Sequence, residues 1–303
     1  MKSQPLIANI KGNSLDDGPG IRSVVFFKGC PLNCDWCHNP ECISPEQELF
    51  YDSEKCIGCG TCTATCPEKA ISVNNPLFVN RGACRACLEC VEVCPAEALT
   101  PSGEKWSLQA AVDFILKDKP FFDNTGGGVT LSGGEPSLYP DYAGKLLRII
   151  KGKAVHTIVE TCGHFEFAVF RDKMLPYTDM IYVDLKLMDP EDHKQYCGVS
   201  NDLILENIIR LQEISRDGNF SILPRIPLVP GITAAESNLV TAAGFLRKNG
   251  FSKAVLLPYN PLWGRKLNCL GRIDPYPSDH PLRQWMPEED LQKCQRVLSA
   301  CGL

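Results

Sequence analysis

The chain has 303 residues, of which 44% are hydrophobic and 22% are charged, and its formal net charge is −5. This length suits one large domain with a smaller one, and the composition excludes a disordered or collagen-like chain. The negative net charge means that basic residues are not in excess, so neither nucleic acid nor a membrane surface is predicted as a partner.

Cysteine is the unusual component. Of the seventeen cysteines, eight fall between Cys56 and Cys94 and three more between Cys30 and Cys37. The first residues, MKSQPLIANIKGN, contain no apolar signal segment, and no stretch reaches the roughly 18 apolar residues of a membrane helix. A cytoplasmic location is therefore predicted. In a reducing compartment, clustered cysteines bind metal more often than they form disulfides.

Outside the cysteine-rich middle stretch, short apolar strands alternate with amphipathic helices. Strands are predicted at 23–27, 129–132, 155–160, 180–186, 220–226 and 254–258. Helices are predicted at 107–118, 142–150, 165–174, 202–215, 234–249 and 287–300. Ser107 is expected to cap the first of these helices. The alternation predicts an α/β fold of parallel βαβ units, either a barrel or an open sheet, with its sites at the carboxyl ends of the strands.

The middle stretch contains one pattern twice. The run C-x2-C-x2-C-x3-C-P begins at Cys56 and again at Cys84, and each copy is followed by a short segment predicted as helix, at 68–71 and 96–99. Two-cluster bacterial ferredoxins have this spacing, and the fourth cysteine of each run binds the other cluster. The first insert site is thus predicted to hold a 4Fe-4S cluster on Cys56, Cys59, Cys62 and Cys94. The second insert site is predicted to hold another on Cys84, Cys87, Cys90 and Cys66. Two structural zinc sites are the alternative, although zinc sites use paired cysteine arms.

A separate cysteine loop, residues 30–37, follows the first predicted strand. Its spacing, C-x3-C-x2-C, offers three thiolates from Cys30, Cys34 and Cys37. A cubane cluster has four irons, so one iron would stay open to a chelating substrate, as a catalytic zinc keeps a free position. Cys42 is an alternative fourth ligand, which would make the site a third electron-transfer cluster or a zinc site.

Four motifs carry a family resemblance. The cysteine loop resembles the signature of the radical S-adenosylmethionine (radical SAM) superfamily. Its flanks are Asp17-Gly-Pro-Gly-Ile-Arg22, His38-Asn-Pro40 and Gly126-Gly-Gly-Val-Thr-Leu-Ser-Gly-Gly-Glu-Pro136. Together they resemble the activating enzymes of glycyl radical enzymes, the family of pyruvate formate-lyase activating enzyme. The two-cluster insert is similar to that of the longer members, which serve dehydratases, decarboxylases and C–N or C–S lyases.

The resemblance implies an architecture and a reaction. The fold would be a partial (β/α)6 TIM-type barrel made of residues 1–50 and 103–303, with a ferredoxin-like insert at 51–102. Three 4Fe-4S clusters and S-adenosylmethionine would be bound. Reductive cleavage of S-adenosylmethionine would yield a 5′-deoxyadenosyl radical that takes a glycine hydrogen from a partner glycyl radical enzyme. A flavodoxin or ferredoxin would donate electrons, and the protein would work without air.

The same resemblance assigns site residues. The residues expected to take part in catalysis are Cys30, Cys34, Cys37 and Lys186. The residues expected to contact the cofactor are Trp36, Gly133, Gly134, Glu135, Glu160, Asp184, Lys186, Arg225 and Asn260.

Several of these assignments also have a physical reason. Gly133 and Gly134 allow close backbone approach, and Glu135 is suited to accept from the methionine ammonium; a phosphate loop is the alternative, but no Gly-Lys-Ser or Gly-Lys-Thr is present. Alternation along a strand points Asp184 and Lys186 to the same side, where both could face the cofactor. An ordinary salt bridge between them, without a cofactor role, is the alternative.

The remaining assignments are carried over by resemblance. Glu160 is a candidate ligand for a monovalent cation near the cofactor, and Arg225 is expected to bind cofactor carboxylate or the partner's backbone. Asn260 stands where close relatives of pyruvate formate-lyase activating enzyme have a histidine, and it is a candidate for the ribose hydroxyls. No chemistry is assigned to six cysteines: Cys42, Cys162, Cys197, Cys269, Cys294 and Cys301.

Two other functions stay open at this point. A radical enzyme acting on a small molecule or RNA is expected to carry its own binding domain after the barrel, whereas 40 residues follow Trp263. An electron-transfer protein of polyferredoxin type would leave the glycine-rich motif and the Asp184-Leu-Lys186 motif unexplained. Such a protein would also form no 5′-deoxyadenosine.

Overall fold

The computed structural model describes residues 4–274 and 276–303. Two sheets are formed, one of eight strands and one of two. The strands are β1 Leu6–Ser14, β2 Arg22–Phe27, β3 Glu48–Tyr51, β4 Leu99–Ser102, β5 Glu104–Lys105, β6 Gly128–Gly133, β7 His156–Thr161, β8 Met180–Asp184, β9 Ser221–Leu228 and β10 Val255–Pro258.

The large sheet confirms the predicted α/β fold. Its order is β10-β9-β8-β7-β6-β2-β1-β5, and the six predicted strands, β2 and β6 to β10, are parallel neighbours in chain order. Parallel strands added in chain order, with helices between them, make a partial TIM-type barrel. Its carboxyl edge collects the segments that follow each strand.

One edge of the sheet was not predicted. β1 pairs antiparallel with β2, and β5 pairs antiparallel with β1. β1 reads LIANIKGNS, in which asparagine, lysine and glycine interrupt the apolar residues, and β5 has two residues. Their local signal is weak, and pairing with a neighbouring strand supplies the stability instead.

The helices include the six predicted ones and five others. They are α1 Thr61–Thr65, α2 Glu89–Glu92, α3 Leu108–Ile115, α4 Lys119–Thr125, α5 Pro140–Lys151, α6 Phe167–Lys173, α7 Pro190–Cys197, α8 Asp202–Ser215, α9 Glu236–Lys248, α10 Trp263–Cys269 and α11 Glu288–Ala300. Ser107 caps α3 as predicted, because its Oγ accepts from the Ala110 amide at 3.1 Å. No helix in the described part of the chain is both long and apolar enough to cross a membrane.

The main core fills the space between sheet and helices. Leu131, Leu146, Val159, Leu211 and Leu246 are each 0% exposed, and they come from strands and from the helices that cover them. This burial is the main source of stability in the barrel, because buried apolar area dominates folding energetics. A second apolar cluster covers the carboxyl edge; it includes Trp36, Cys162, Leu187, Val229 and Tyr259.

The cysteine-rich insert is joined to the barrel by the small sheet. β3 and β4 pair antiparallel, with Glu48 opposite Ser102 and Tyr51 opposite Leu99, so the chain enters and leaves the insert side by side. The prediction of short helices at 68–71 and 96–99 is wrong. Lys69 and Glu97 have φ of 49° and 50°, a left-handed conformation that ends a helix, and single helical turns lie inside the cysteine runs instead.

Candidate functional site

The cysteine loop lies at the carboxyl edge of the barrel, directly after β2. Backbone bonds hold it on two sides: the Cys30 amide donates to the Ile43 carbonyl at 3.0 Å, and the Asn33 amide donates to the Cys197 carbonyl at 2.9 Å. The residues Cys30, Cys34 and Cys37 are half-buried, and all seventeen cysteines of the chain are free of disulfides. Three reduced thiols on one fixed loop fit the donor set of a cluster with one open iron.

Other cysteines lie beside this loop. The thiol of Cys162, which follows β7, is within hydrogen-bond reach of Cys30, and the thiol of Cys197 at the end of α7 is within reach of Cys34. Cys42, the alternative fourth ligand, is buried. Sequence reasoning assigned no role to Cys162 and Cys197. The sequence gives one indication of a role, which is that Cys162 follows a predicted strand and so lies at the carboxyl edge.

Trp36 is 4% exposed and contacts Tyr196, with ring centroids 6.3 Å apart. It therefore belongs to the apolar support of the loop. The structure places this ring inside the cluster that covers the carboxyl edge.

The glycines at the end of β6, Gly133 and Gly134, bring two strand ends together. A Cβ on Gly134 would lie 2.2 Å from the carbonyl oxygen of Gly29, and one on Gly133, whose φ is +98°, would lie 2.6 Å from the Phe27 amide nitrogen. The missing side chains thus permit contact with the backbone that leads into Cys30. Close approach was predicted here, and the group that approaches is the chain itself.

Glu135 is fully buried and joins its own segment to the one that ends β7. Its Oε2 accepts from the Cys162 amide at 2.8 Å and from Thr161 Oγ1 at 2.9 Å, while its Oε1 accepts from the Ser137 amide at 3.1 Å. A carboxylate has about four acceptor positions, so one stays open for a further donor such as an ammonium group.

Four charged side chains form a continuous row along the carboxyl edge. Arg225 Nη1 lies 2.7 Å from Glu160 Oε1, and its Nη2 lies 3.5 Å from Asp184 Oδ1. Lys186 Nζ is 2.9 Å from Asp184 Oδ2. Asp184 and Lys186 therefore point to one side, as predicted, and they do form a salt bridge. Signs alternate along the row, so each charge has a partner of opposite sign.

Burial and charge act in opposition within this row. Burial raises the pKa of Glu160, and Arg225 only partly offsets it. Burial also opposes ionisation of Asp184, but Lys186 and Arg225 outweigh it and hold the pKa of that carboxyl below its usual value. Arg225 Nε is buried and lacks a hydrogen-bond partner among the described residues. An unpaired buried donor is costly, so this atom is a natural anchor for a carboxylate or carbonyl oxygen of a ligand.

Glu160 and Asn260 have local partners. Both oxygens of Glu160 are engaged, one by Arg225 and one by Ser132 Oγ at 2.5 Å. Asn260 follows β10, and its Oδ1 accepts from the Leu262 amide at 3.3 Å. Its side-chain amide donors are not bonded within the described residues, which leaves them free for a hydroxyl group.

The two insert sites are separate in space. Cys56, Cys59, Cys62 and Cys94 line one cavity of about 320 Å³, together with Tyr51. Another cavity is lined by Cys66, Cys84, Cys87 and Cys90, together with Leu49. The crossed grouping predicted from the ferredoxin pattern is the one that these cavities display.

Cys66 and Cys94, which each line the cavity of the other run, accept equivalent hydrogen bonds. The sulfur of Cys66 accepts from the Ala70 amide at 3.3 Å, and that of Cys94 accepts from the Ala98 amide at 3.3 Å. Hydrogen bonds to ligand sulfurs are one means of tuning cluster potentials. The turns found in place of the predicted helices therefore direct amides to the two cysteines that line the cavity of the other run.

Comparison with known proteins gives matches over nearly the whole chain. Residues 48–95 match a family model described as a 4Fe-4S dicluster domain, and residues 94–241 match the radical SAM superfamily. A trans-4-hydroxy-L-proline dehydratase activating enzyme of Clostridioides difficile is 37% identical over 98% of this chain and 96% of its own. A choline trimethylamine-lyase activating enzyme of Oleidesulfovibrio alaskensis is 35% identical over 89% of this chain and 88% of its own.

A solved structure supports the fold alone. A radical SAM methyltransferase from Sphaerobacter thermophilus aligns with a TM-score of 0.53 over 99% of this chain and 76% of its own, at 13% identity.

Proposed function

This chain belongs to the activating enzymes of glycyl radical enzymes, within the radical SAM superfamily, and we propose that it installs a glycyl radical on a separate large enzyme. The partner would be of dehydratase, decarboxylase or C–N/C–S lyase type. The observation that carries this proposal is the cysteine loop at the carboxyl edge of the barrel, beside the charged row that ends in Lys186. Iron–sulfur clusters and S-adenosylmethionine are the cofactors of such an enzyme.

The residues present fit these cofactors. Cys30, Cys34 and Cys37 would hold one 4Fe-4S cluster, and each insert site would hold another, which makes three. When bound, the loop cluster would supply the electron for reductive cleavage of S-adenosylmethionine, which would provide the radical that removes a hydrogen from the partner's glycine. Cys42 stays an alternative ligand until it is tested.

Each remaining side chain would bind or orient the cofactor. Lys186 would pair with the carboxylate of the methionine part, and Glu135 has an acceptor position for its ammonium group. Arg225 would use its unpaired Nε toward a carboxylate or the partner's backbone. Asn260 would donate to the ribose. A monovalent cation at Glu160 stays a prediction, since Arg225 and Ser132 engage both oxygens of that carboxylate.

The domain division belongs to the same proposal. Residues 1–50 and 103–303 would form the barrel part and residues 51–102 the insert. The antiparallel pairing of β3 with β4 at the base of the insert supports this division. The location is proposed to be cytoplasmic.

The test is anaerobic. The reconstituted and reduced protein is mixed with S-adenosylmethionine and candidate glycyl radical enzymes, and the glycyl radical doublet is recorded by electron paramagnetic resonance. Cys37→Ala should abolish 5′-deoxyadenosine formation, and Cys42→Ala should retain it. Formation of 5′-deoxyadenosine without any protein radical would favour a small-molecule substrate. Absence of 5′-deoxyadenosine from the wild type would favour an electron-transfer protein.

The insert is proposed to relay electrons from a flavodoxin or ferredoxin to the cysteine loop. Removal of Cys56 and Cys84 should slow activation by these donors, while a strong small reductant should still support it. Unchanged rates with flavodoxin and ferredoxin would disprove the relay.

A further inference from the structure

Lys266 of helix α10 bonds to the segment that directly follows the cysteine loop. Lys266 Nζ donates to the His38 carbonyl oxygen at 3.0 Å and to Asn39 Oδ1 at 2.9 Å, and it pairs with Glu41 Oε1 at 2.6 Å. An ammonium group has three donors, and all three are used on the segment that follows Cys37. Lys266 therefore fixes the point at which the chain leaves the cysteine loop.

The carboxyl end of α10 contacts the insert. The carbonyl oxygen of Cys269 accepts from Arg81 Nη2 at 3.1 Å, and Arg81 Nη1 donates to the Leu49 carbonyl oxygen. Arg81 lies three residues before Cys84, and Leu49 lines the cavity of the second insert site. One guanidinium thus joins α10, β3 and the second insert site, and its rigid fork suits such a bridge.

Strand β3 shows which insert site is nearer to the cysteine loop. Glu48 pairs at 3.0 Å with Lys28, which is fully buried and lies two residues before Cys30. The next residue, Leu49, lines the second insert site, whereas Tyr51 lines the first. A strand advances about 3.3 Å per residue, so the first site begins roughly 7 Å farther along β3 than the second.

We propose that α10 holds the second insert site as the immediate neighbour of the cysteine loop, through Lys266 in the middle of the helix and through the bond from Arg81 to its last residue, Cys269. Lys266 and Arg81 are positioning residues, since they act on the two cysteine sites through the backbone of the surrounding segments. The inference rests on the proposed function only in requiring that the sites hold clusters.

Magnetic coupling between reduced clusters tests which site is the neighbour. Reduced 4Fe-4S clusters are paramagnetic, and two close ones split and broaden each other's resonance. The double variant Cys84→Ala/Cys87→Ala empties the second insert site, and Cys56→Ala/Cys59→Ala is its match in the first. The resonance of the loop cluster should lose its splitting in Cys84→Ala/Cys87→Ala and keep it in Cys56→Ala/Cys59→Ala. The two variants should lose equal amounts of iron. The reverse result would overturn the proposal.

The role of α10 is tested with two adjacent side chains. Lys266→Ala should weaken the splitting, and Lys266→Arg should restore it. The control is Arg265→Ala, because Arg265 is 61% exposed and pairs with Asp52 and Glu54, which precede the first insert site. Lys266 is half-buried and Arg265 is exposed, and neither belongs to the apolar core. An unchanged splitting in Lys266→Ala would overturn the role of that lysine.

These outcomes are distinct from those of the proposed function. Coupling that follows the second insert site, in a protein that forms no glycyl radical on any partner, would support this inference and count against the function. A glycyl radical formed by a protein whose loop cluster couples to the first insert site would do the opposite.

Discussion

Arg225 on β9 reaches past β8 to Glu160 on β7, so that its Nη1 lies 2.7 Å from the glutamate Oε1. Both side chains are nearly buried, with 13% and 9% of their surfaces exposed. Breaking a buried pair leaves an uncompensated charge. We expect Arg225→Met to lower the free energy of unfolding by about 3 to 5 kcal/mol.

The double variant Glu160→Gln/Arg225→Met serves as the control for this prediction. It removes both charges, so a large part of the lost stability should return. Chemical denaturation under argon measures all three proteins. If the double variant is as unstable as Arg225→Met, the pair does not explain the loss.

Lys186 is expected to bind S-adenosylmethionine. Replacement by methionine removes a charge-assisted hydrogen bond, and the affinity should fall roughly tenfold to a hundredfold. The cofactor-induced change in the spectrum of the loop cluster reports binding. The control is Lys151→Met, because Lys151 also pairs with an aspartate, Asp179, at 2.7 Å, but next to the amino end of β8. Equal loss of affinity in both variants would refute the role of Lys186.

Gly134 should tolerate no side chain. A Cβ there would meet the Gly29 oxygen at 2.2 Å and the Cys42 oxygen at 2.6 Å, and both belong to backbone. Gly134→Ala is expected to displace the cysteine loop, with a cost of about 1 to 3 kcal/mol and lower iron content. Gly244 in α9 has open space around it, so Gly244→Ala should stabilise the helix by up to about 1 kcal/mol. Full iron content in Gly134→Ala would contradict the prediction.

Asp179 ties β7 to β8 at their amino ends. Its Oδ2 accepts from the Thr157 amide and hydroxyl, each at 2.9 Å, and its Oδ1 pairs with Lys151. Burial opposes ionisation, but Lys151 and Thr157 outweigh it and hold the pKa of Asp179 below its usual value. Asp179→Asn should cost about 1 to 3 kcal/mol at neutral pH.

The pH dependence of this loss has a definite sign. An acid with a lowered pKa in the folded state contributes its full stability above its unfolded pKa, about 3.9, and loses it as pH falls through the folded value. The gap in thermal midpoint between wild type and Asp179→Asn should therefore be constant from pH 8 to about pH 5. A gap that shrinks within this range would assign the loss to another group.

The barrel could be predicted because its apolar segments are periodic. The isolated strands and the turns could not. The six parallel strands are short apolar runs, and each has a local signal that its buried position reinforces. β1 depends on β2 for its pairing, so its mixed sequence carries little information alone. The segments after each cysteine run have helix-forming residues, yet Lys69 and Glu97 adopt left-handed backbone because amides there turn toward cysteine sulfurs.

The candidate site was predictable where spacing within the chain encodes it. Three cysteines on one loop can be read directly, as can Asp184 and Lys186 on one strand face. Contacts between distant segments cannot. Cys162 beside Cys30, and Lys266 bound to the segment after Cys37, depend on how separate strands and helices meet. No local pattern in α10 indicates that role.

The crossed arrangement of the insert has a consequence for how the protein is assembled. Each cavity takes three cysteines from one run and its fourth, Cys66 or Cys94, from the other. Neither run can therefore supply all four cysteines of a cavity by itself. We expect iron to enter the insert only after both cysteine runs have folded together, so that the first run made during synthesis stays without a cluster until the second has followed it.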